Sequence, residues 1–324
     1  MFLTFLASAP AKVILFGEHF VVENEPAIAA ALDLRVEVSV NLLDEKRFEI
    51  RSGNLFSFVR LDDLLSNHYS VNQHFKPLYI ILRKVIEKYG FEGGLKFIIK
   101  SPIPMGVGLG SSAAVFVAFS AGLLKAVAGE YDLEKVVKLA SEGEILAHGR
   151  PSGIDPTISA NGGVIVYRKS EGFIPLKAAI PLHLVIGVSG EVRSTATMVE
   201  KVLSLKKRFP EIFEPLYHAA GHLAIEAAKA IERGDLTSIG MLMNINHGLL
   251  SSLGVSTMNL ERLVHAARDA GALGAKITGA GGGGAIISIC PQNLLETVAS
   301  AIKRSGGFPL ISKVSDRGVS VIER

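Results

Sequence analysis

The sequence predicts a two-lobed α+β protein, with antiparallel or mixed sheets, helices in both halves and the functional cleft between the lobes. Three observations carry this. The chain has 324 residues, more than one hydrophobic core of ordinary size encloses. Stretches with the two-residue alternation of half-buried strands occur in both halves, interspersed with stretches of helical period. The 33 glycines are bunched in short runs, as happens where backbone must approach something closely.

Met1 to Leu6 is apolar, with no basic region before it and Lys12 soon after. That pattern suits a first strand rather than a signal peptide. Arg35 to Asn41 puts Val36, Val38 and Val40 on one face, and Phe48 to Arg51 and Phe56 to Arg60 are expected as its antiparallel neighbours. His74 to Tyr89 carries Leu78, Ile81, Leu82, Val85 and Ile86 at helical spacing and stops before Gly90. Leu95 to Lys100 is a strand, Ser111 to Ala128 and Asp132 to Ala147 are helices, and Gly163 to Tyr167 is a strand again. Lys169 to Pro181 holds two prolines and little periodicity. The lobes are therefore divided there, as 1–170 and 171–324. The second lobe opens with a strand, Leu182 to Ser189. Helices follow over Thr195 to Lys207, Ile212 to Arg233, Leu236 to Leu249 and Thr257 to Ala270. It ends with a strand (Ala275 to Thr278), a glycine loop, a strand (Ala285 to Cys290), a helix (Leu294 to Arg304) and a strand (Leu310 to Val314).

With 48% apolar and 20% charged residues the composition is globular. A formal charge of +3 without any block of like charge argues against a nucleic-acid partner. Lys206-Lys207-Arg208 fits a helix C-terminus complementing its dipole. The one cysteine, Cys290, excludes an intrachain disulfide framework and suits a reducing cytoplasm. No window reaches the roughly 18 uncharged apolar residues of a membrane span. Residues 107–128 come closest, but they begin with a glycine-rich turn and contain Lys125. The expectation is a soluble, cytoplasmic protein with no membrane partner.

Pro104-Met105-Gly106-Val107-Gly108-Leu109-Gly110-Ser111-Ser112-Ala113-Ala114 runs directly into an apolar helix. Glycines at every second position let the backbone turn tightly, and the helix N-terminus adds unpaired N–H groups and partial positive charge. Together they form a receptor for an anion, of which phosphate is the usual one. The loop lacks the Gly-Lys-Ser/Thr ending of a Walker loop and the spacing of a dinucleotide fingerprint. Taken alone, a flexible hinge capped by Ser111 would also fit. A second cluster, Thr278-Gly279-Ala280-Gly281-Gly282-Gly283-Gly284, alone fits a mobile hairpin. Two such loops in one chain point more firmly to anion binding.

Three stretches now stand together: Ala9-Pro10-Ala11-Lys12-Val13-Ile14-Leu15-Phe16-Gly17-Glu18-His19, the loop Pro104 to Ala114, and Lys276-Ile277-Thr278 with the glycines that follow. They resemble the three motifs of the GHMP kinases, in the expected order and across nearly the whole chain. Within that superfamily two features are similar to the mevalonate kinases. One is Gly17-Glu18-His19 continuing into Phe20-Val21-Val22 and Pro26-Ala27-Ile28-Ala29; the other is His148-Gly149-Arg150-Pro151-Ser152-Gly153-Ile154-Asp155. Galactokinases usually continue from Gly-Glu-His into Thr-Asp-Tyr, and homoserine kinases usually lack Gly-Glu-His. Glu23-Asn24-Glu25 departs from the family, which often has a glycine-containing turn there.

The resemblance implies ATP- and Mg²⁺-dependent phosphorylation of the 5-hydroxyl of (R)-mevalonate, with mevalonate and ATP as small-molecule partners; a homodimer is compatible with it. It assigns Asp155 and Lys12 to catalysis, the loop Pro104 to Ala114 to the ATP phosphates, and Ser112 and Glu144 to Mg²⁺. Glu18, His19 and Arg193 go to the substrate, with Arg193 gripping the acceptor carboxylate, and Lys276 goes to the substrate or to the support of the glycine loop. Local readings stand beside these. Asp155 before Pro156 also fits a helix N-cap, Glu144 an exposed helical carboxylate, Lys12 a surface lysine, His19 a core histidine and Arg193 a residue before a capped helix. The adenine pocket is sought between Phe56 and Tyr69. Two other functions stay open. One is another acceptor, such as phosphomevalonate, homoserine or a sugar; no basic cluster beyond Lys12 and Arg193 favours a diphosphorylated product. The other is a non-catalytic nucleotide- or metabolite-binding regulator, which would have no need of both Lys12 and Asp155.

Overall fold

A computed structural model of the chain describes residues 4–104, 106–148, 153–191 and 194–324. Its first sheet is built on two long antiparallel strands, β1 (Thr4–Phe16) and β2 (Ala27–Leu43). The valines of the 35–41 alternation line the buried face of β2. A hairpin of β3 (Arg47–Ser52) and β4 (Leu55–Arg60) follows, then α1 (Leu61–Leu65), α2 (Lys76–Tyr89) and β5 (Gly94–Lys100). β5 inserts between β2 and the hairpin, antiparallel to β2 and parallel to β3. The hairpin is therefore not the direct neighbour of β2 that its sequence suggested. Alternation reveals which face of a strand is buried but not which strand lies beside it, and the helical crossover allows the parallel pairing.

Helices α3 (Ser111–Ala128), α4 (Leu133–His148) and α5 (Ile154–Asn161) come next, followed by β6 (Val164–Arg168) and β7 (Gly172–Leu176). β6 pairs with the first half of β2, and β7 pairs with β6. The stretch read as a linker between lobes thus contains a strand. Three consecutive exposed residues in β7 erase the alternation that would have disclosed it. The 170/171 division falls in the turn between β6 and β7, within this sheet.

By length and hydropathy α3 could cross a membrane, yet 61% of it is buried inside the protein. It packs on β1, β2, α4 and α5, which is the physical reason for its apolar character. Gly122 on α3 meets Val40 and Ala7, where an added Cβ would lie 2.8 Å from Val40. The rings of Phe119 on α3 and Phe97 on β5 have centroids 4.4 Å apart.

The second sheet begins with β8 (His183–Val188). Four helices follow: α6 (Thr195–Arg208), α7 (Pro210–Arg233), α8 (Leu236–Ser252) and α9 (Met258–Asp269). Then come β9 (Gly274–Thr278), β10 (Ala285–Ile289), α10 (Leu295–Arg304) and β11 (Phe308–Lys313). The order β11-β8-β10-β9 is antiparallel throughout, and every residue of β9 and β10 is buried. A last strand, β12 (Ser320–Glu323), returns to the first sheet and pairs with β1. Among the described residues the protein is thus a two-sheet α+β fold whose chain crosses between the sheets more than once.

Phe119 is wholly buried, so Phe119→Ala should destabilise the protein by about 3–5 kcal/mol through lost transfer energy and a residual cavity. Urea unfolding measures this; a loss below about 1 kcal/mol would contradict the packing described.

Candidate active site

β1 carries the first functional side chain. Its register with β2 shifts between Pro10 and Lys12, an irregularity that accommodates a proline inside a paired strand and re-aims the residue after it. The Ser159 hydroxyl of α5 donates to the Pro10 carbonyl at 2.7 Å. The Lys12 amide donates to the Leu109 carbonyl at 3.0 Å, tying the strand to the glycine loop. The Lys12 ammonium lies 3.0 Å from an oxygen of Asp155, the two side chains being 7% and 28% exposed.

Asp155 is not the helix cap that Asp-Pro suggested. Gly153, in left-handed conformation, occupies the cap, α5 starts at Ile154, and no side chain caps it. Pro156 still falls within the first turn, where its missing N–H costs nothing. The carboxylate is left to Lys12 and the cleft.

In the first glycine loop Gly106, Gly108 and Gly110 have φ of 75°, 83° and 67°, a region that favours glycine. Val107 and Leu109 between them are buried and anchor the loop. Pro104 is half-buried at its start, while Met105 lies outside the described residues. Gly110 rather than Ser111 is the cap of α3, and its carbonyl accepts from the Ala114 amide at 3.0 Å. A Cβ on Gly110 would sit 2.6 Å from Cγ of Lys12, so only glycine lets the loop settle on the lysine stem. Ala113 and Ala114 are buried. They can offer an anion only the backbone, and the first turn of α3 has spare N–H groups to give.

The second glycine loop meets the first. A Cβ on Gly279 would lie 3.6 Å from Cα of Gly108, and one on Gly284 3.2 Å from the Val107 carbonyl. Thr278, at the end of β9, is locked to β1: its hydroxyl donates to the Ile14 carbonyl at 3.1 Å and receives the Ile14 amide at 3.3 Å. Nε2 of His19 lies 2.9 Å from the Ala280 carbonyl. A carbonyl can only accept, so Nε2 carries the proton. Burial lowers the pKa of His19 against this bond, which favours a neutral ring. Its Nδ1 has no partner among the described residues.

Glu18 and Lys276, two of the candidate residues, form a buried ion pair. Burial pushes the Glu18 carboxyl up against the opposing pull of Lys276. It likewise pushes the Lys276 ammonium down against Glu18. Lys276 also donates to the Ile277 carbonyl at 2.6 Å. The pair fastens the turn after β1 to β9.

Ser112 is the second residue of α3, and Glu144 lies on α4, which packs along α3. Glu144 is 5% exposed, unlike the exposed helical carboxylate its sequence also allowed. A hydroxyl and a buried carboxylate are hard oxygen donors of the kind Mg²⁺ takes, with phosphate and water completing its shell. Among the described residues no cluster of three or more His, Cys, Asp or Glu could hold a metal by itself. Arg193 and Gly149 to Ser152 lie outside the described residues. Of the stretch searched for adenine, Phe56 and Phe58 are exposed on the outermost strand, β4, and Tyr69 packs on Tyr79. Thr278 was missed as an individual positioning residue, because its partner Ile14 lies far away in the chain.

Lys276→Met would strand the Glu18 carboxylate in a dry interior and should cost about 3–5 kcal/mol. Replacing both partners, Glu18→Leu with Lys276→Met, should recover most of that loss. Guanidinium unfolding of the two variants decides it, and an unaffected Lys276→Met protein would refute the pairing.

Family profiles agree with this geometry. Residues 76–163 match the GHMP kinases N terminal domain and residues 227–307 the GHMP kinases C terminal domain. The mevalonate kinase of Pyrococcus horikoshii is 42% identical over 330 residues, and that of Thermococcus sibiricus 41% over 332, each alignment covering 98% of both chains. The crystal structure of L. major mevalonate kinase in complex with R-mevalonate superposes with a TM-score of 0.84 at 30% identity, over 96% of both chains. The chain belongs to the GHMP kinases and, within them, to the mevalonate kinase family.

Proposed function

We propose that the enzyme transfers the γ-phosphoryl group of ATP to the 5-hydroxyl of (R)-mevalonate. The observation that carries this is the Lys12–Asp155 pair, 3.0 Å apart, on a lysine whose stem is packed under Gly110 of the phosphate loop. A binding module has no use for a partly exposed cation–carboxylate pair at that place. The solved relative in complex with R-mevalonate supports the choice of acceptor.

Backbone N–H groups of the loop and the first turn of α3 hold the ATP phosphates. The acceptor oxygen attacks the γ-phosphorus, the bond to the β–γ bridging oxygen breaks, and ADP leaves with that electron pair. Asp155 orients the hydroxyl and takes its proton as the new P–O bond forms. Lys12 lies against both Asp155 and the loop, so its charge stabilises negative charge building on the transferred group. Ser112 and Glu144 would hold Mg²⁺, which when bound neutralises phosphate charge. The bare Nδ1 of His19 is an acceptor for a substrate hydroxyl. Arg193 grips the acceptor carboxylate through two parallel bonds.

Asp155→Asn keeps the side-chain volume and removes the charge. Turnover should fall by about 10²–10⁴-fold, while ATP affinity measured by calorimetry stays near that of the native enzyme. Near-normal turnover would remove Asp155 from the chemistry. In an ADP-release assay mevalonate should turn over, with homoserine, galactose and 5-phosphomevalonate poor or inert. Phosphorus NMR should place the new phosphate on the 5-oxygen; phosphate on the tertiary 3-oxygen would reverse the proposed orientation.

A further inference from the structure

We infer that Arg35 is a positioning residue for the phosphoryl transfer: its guanidinium joins the two supports of the Lys12–Asp155 pair and fixes one against the other. This rests on the assignment of Asp155 to the chemistry.

The partners of that pair stand on different elements. Lys12 is on β1, and Asp155 is in the first turn of α5. Arg35, on β2, lies across from Pro10 in the register of the two strands, at the irregularity that precedes Lys12. There its guanidinium takes hold of β1. Nε donates to the Ser8 hydroxyl at 2.8 Å and Nη2 to the Ser8 carbonyl at 2.9 Å. The same group reaches the segment that connects β11 to β12. Nη1 donates to the Arg317 carbonyl at 3.0 Å and Nη2 to the Gly318 carbonyl at 2.7 Å.

That connecting segment closes over the C-terminal end of α5. The Val319 amide donates to the Ala160 carbonyl at 2.9 Å, and the Gly163 amide, just after the helix, donates to the Ser315 carbonyl at 2.8 Å. Contact is backbone to backbone. A Cβ on Gly162 would lie 2.5 Å from the Gly318 amide nitrogen, and one on Gly318 would strike the Ala160 carbonyl. The Ser315 amide in turn donates to the Ala31 carbonyl at 2.9 Å, and Ala31 is the residue opposite Lys12 in the strand register. With the Ser159 hydroxyl bonded to the Pro10 carbonyl, α5 is held between β1 and the connecting segment.

Ala160 and Asp155 stand near opposite ends of α5, about 7.5 Å apart along the axis. A helix this short moves as one body, so a shift of the segment at one end is passed to the carboxylate at the other. Arg35 sets that segment with four charge-assisted bonds. A planar fork of five donors can serve acceptors on two segments at once, which a single ammonium cannot do in the same geometry. Arg35 touches no reacting atom. It acts through α5 and β1.

The experiment is steady-state kinetics of the full chain with mevalonate and ATP, on variants shown by circular dichroism to be folded at the assay temperature. It compares the native enzyme with Arg35→Met, Arg35→Lys, Asp155→Asn and the double variant Arg35→Met/Asp155→Asn. Arg35→Met should lower kcat about tenfold, because small misplacements of a reacting group are costly. Both KM values should stay within about twofold, the pattern of an interaction realised only in the transition state. Arg35→Lys keeps the charge without the fork and should lose about threefold in kcat with the same KM pattern; it replaces the Met variant in every comparison should that one not fold. The double variant should be no slower than Asp155→Asn, because residues acting through one group are not additive. If Asp155→Asn turns over at a near-native rate, the reading of Asp155 falls and the proposal with it. If Asp155→Asn is slow and the folded Arg35 variants keep the native kcat, the positioning role alone is overturned. It is likewise overturned if the two losses multiply in the double variant, or if either KM rises by as large a factor as kcat falls.

Discussion

An ammonium group taken out of water must be met by a carboxylate, because desolvation otherwise neutralises it. This fold meets that requirement twice, from one strand and the turn that follows it. The two solutions differ in a single respect. Lys276 and Glu18 are sealed, with side chains 0% and 1% exposed, and hold the turn after β1 against β9. Lys12 and Asp155 are 7% and 28% exposed, so one end of that pair still faces solvent. Sealing makes a clamp, and partial opening leaves a charged pair within reach of a small molecule. Both pairs depend on where β1 ends, and the bonds from Thr278 to Ile14 set that relative to the second sheet.

Glycine supplies the complementary constraint. The two glycine loops approach backbone to backbone, with Gly108 facing Gly279 and Val107 facing Gly284. Side chains at those positions would push the two loops apart and disturb the seat of Lys12 under Gly110. The geometry of the candidate site follows from the absence of Cβ atoms along a seam as much as from the charged residues beside it.

Features governed by local forces were legible in the sequence. Both bounds of α3 were readable because glycines flank it, Gly110 before and Gly129 after, in left-handed conformation. Lys12, Asp155 and the first glycine loop could be singled out as candidates because they fall in compact motifs. Strands β7 and β12 escaped because their residues are mostly exposed, so no alternation marked them. The placement of β5 escaped because register with a distant strand leaves no local trace. The same limit hid the pairing of Glu18 with Lys276 and the hold of Arg35 on the carbonyls of Arg317 and Gly318. Each is a contact between residues of ordinary type whose proximity only the folded chain creates.

The return of β12 to β1 bears on how the protein is made. β1 is flanked by β2 on one side and β12 on the other, so the strand that carries Lys12 completes its pairing only with a segment far along the chain. Until residues 320–323 have left the ribosome, one edge of β1 presents unpaired N–H and C=O groups, a template that other extended chains can occupy. Pairing across so long a span of sequence is entropically slow, and nascent chains in this condition are exposed to aggregation. The first sheet cannot mature ahead of the second half of the chain, and the two halves are bound to acquire their final form together.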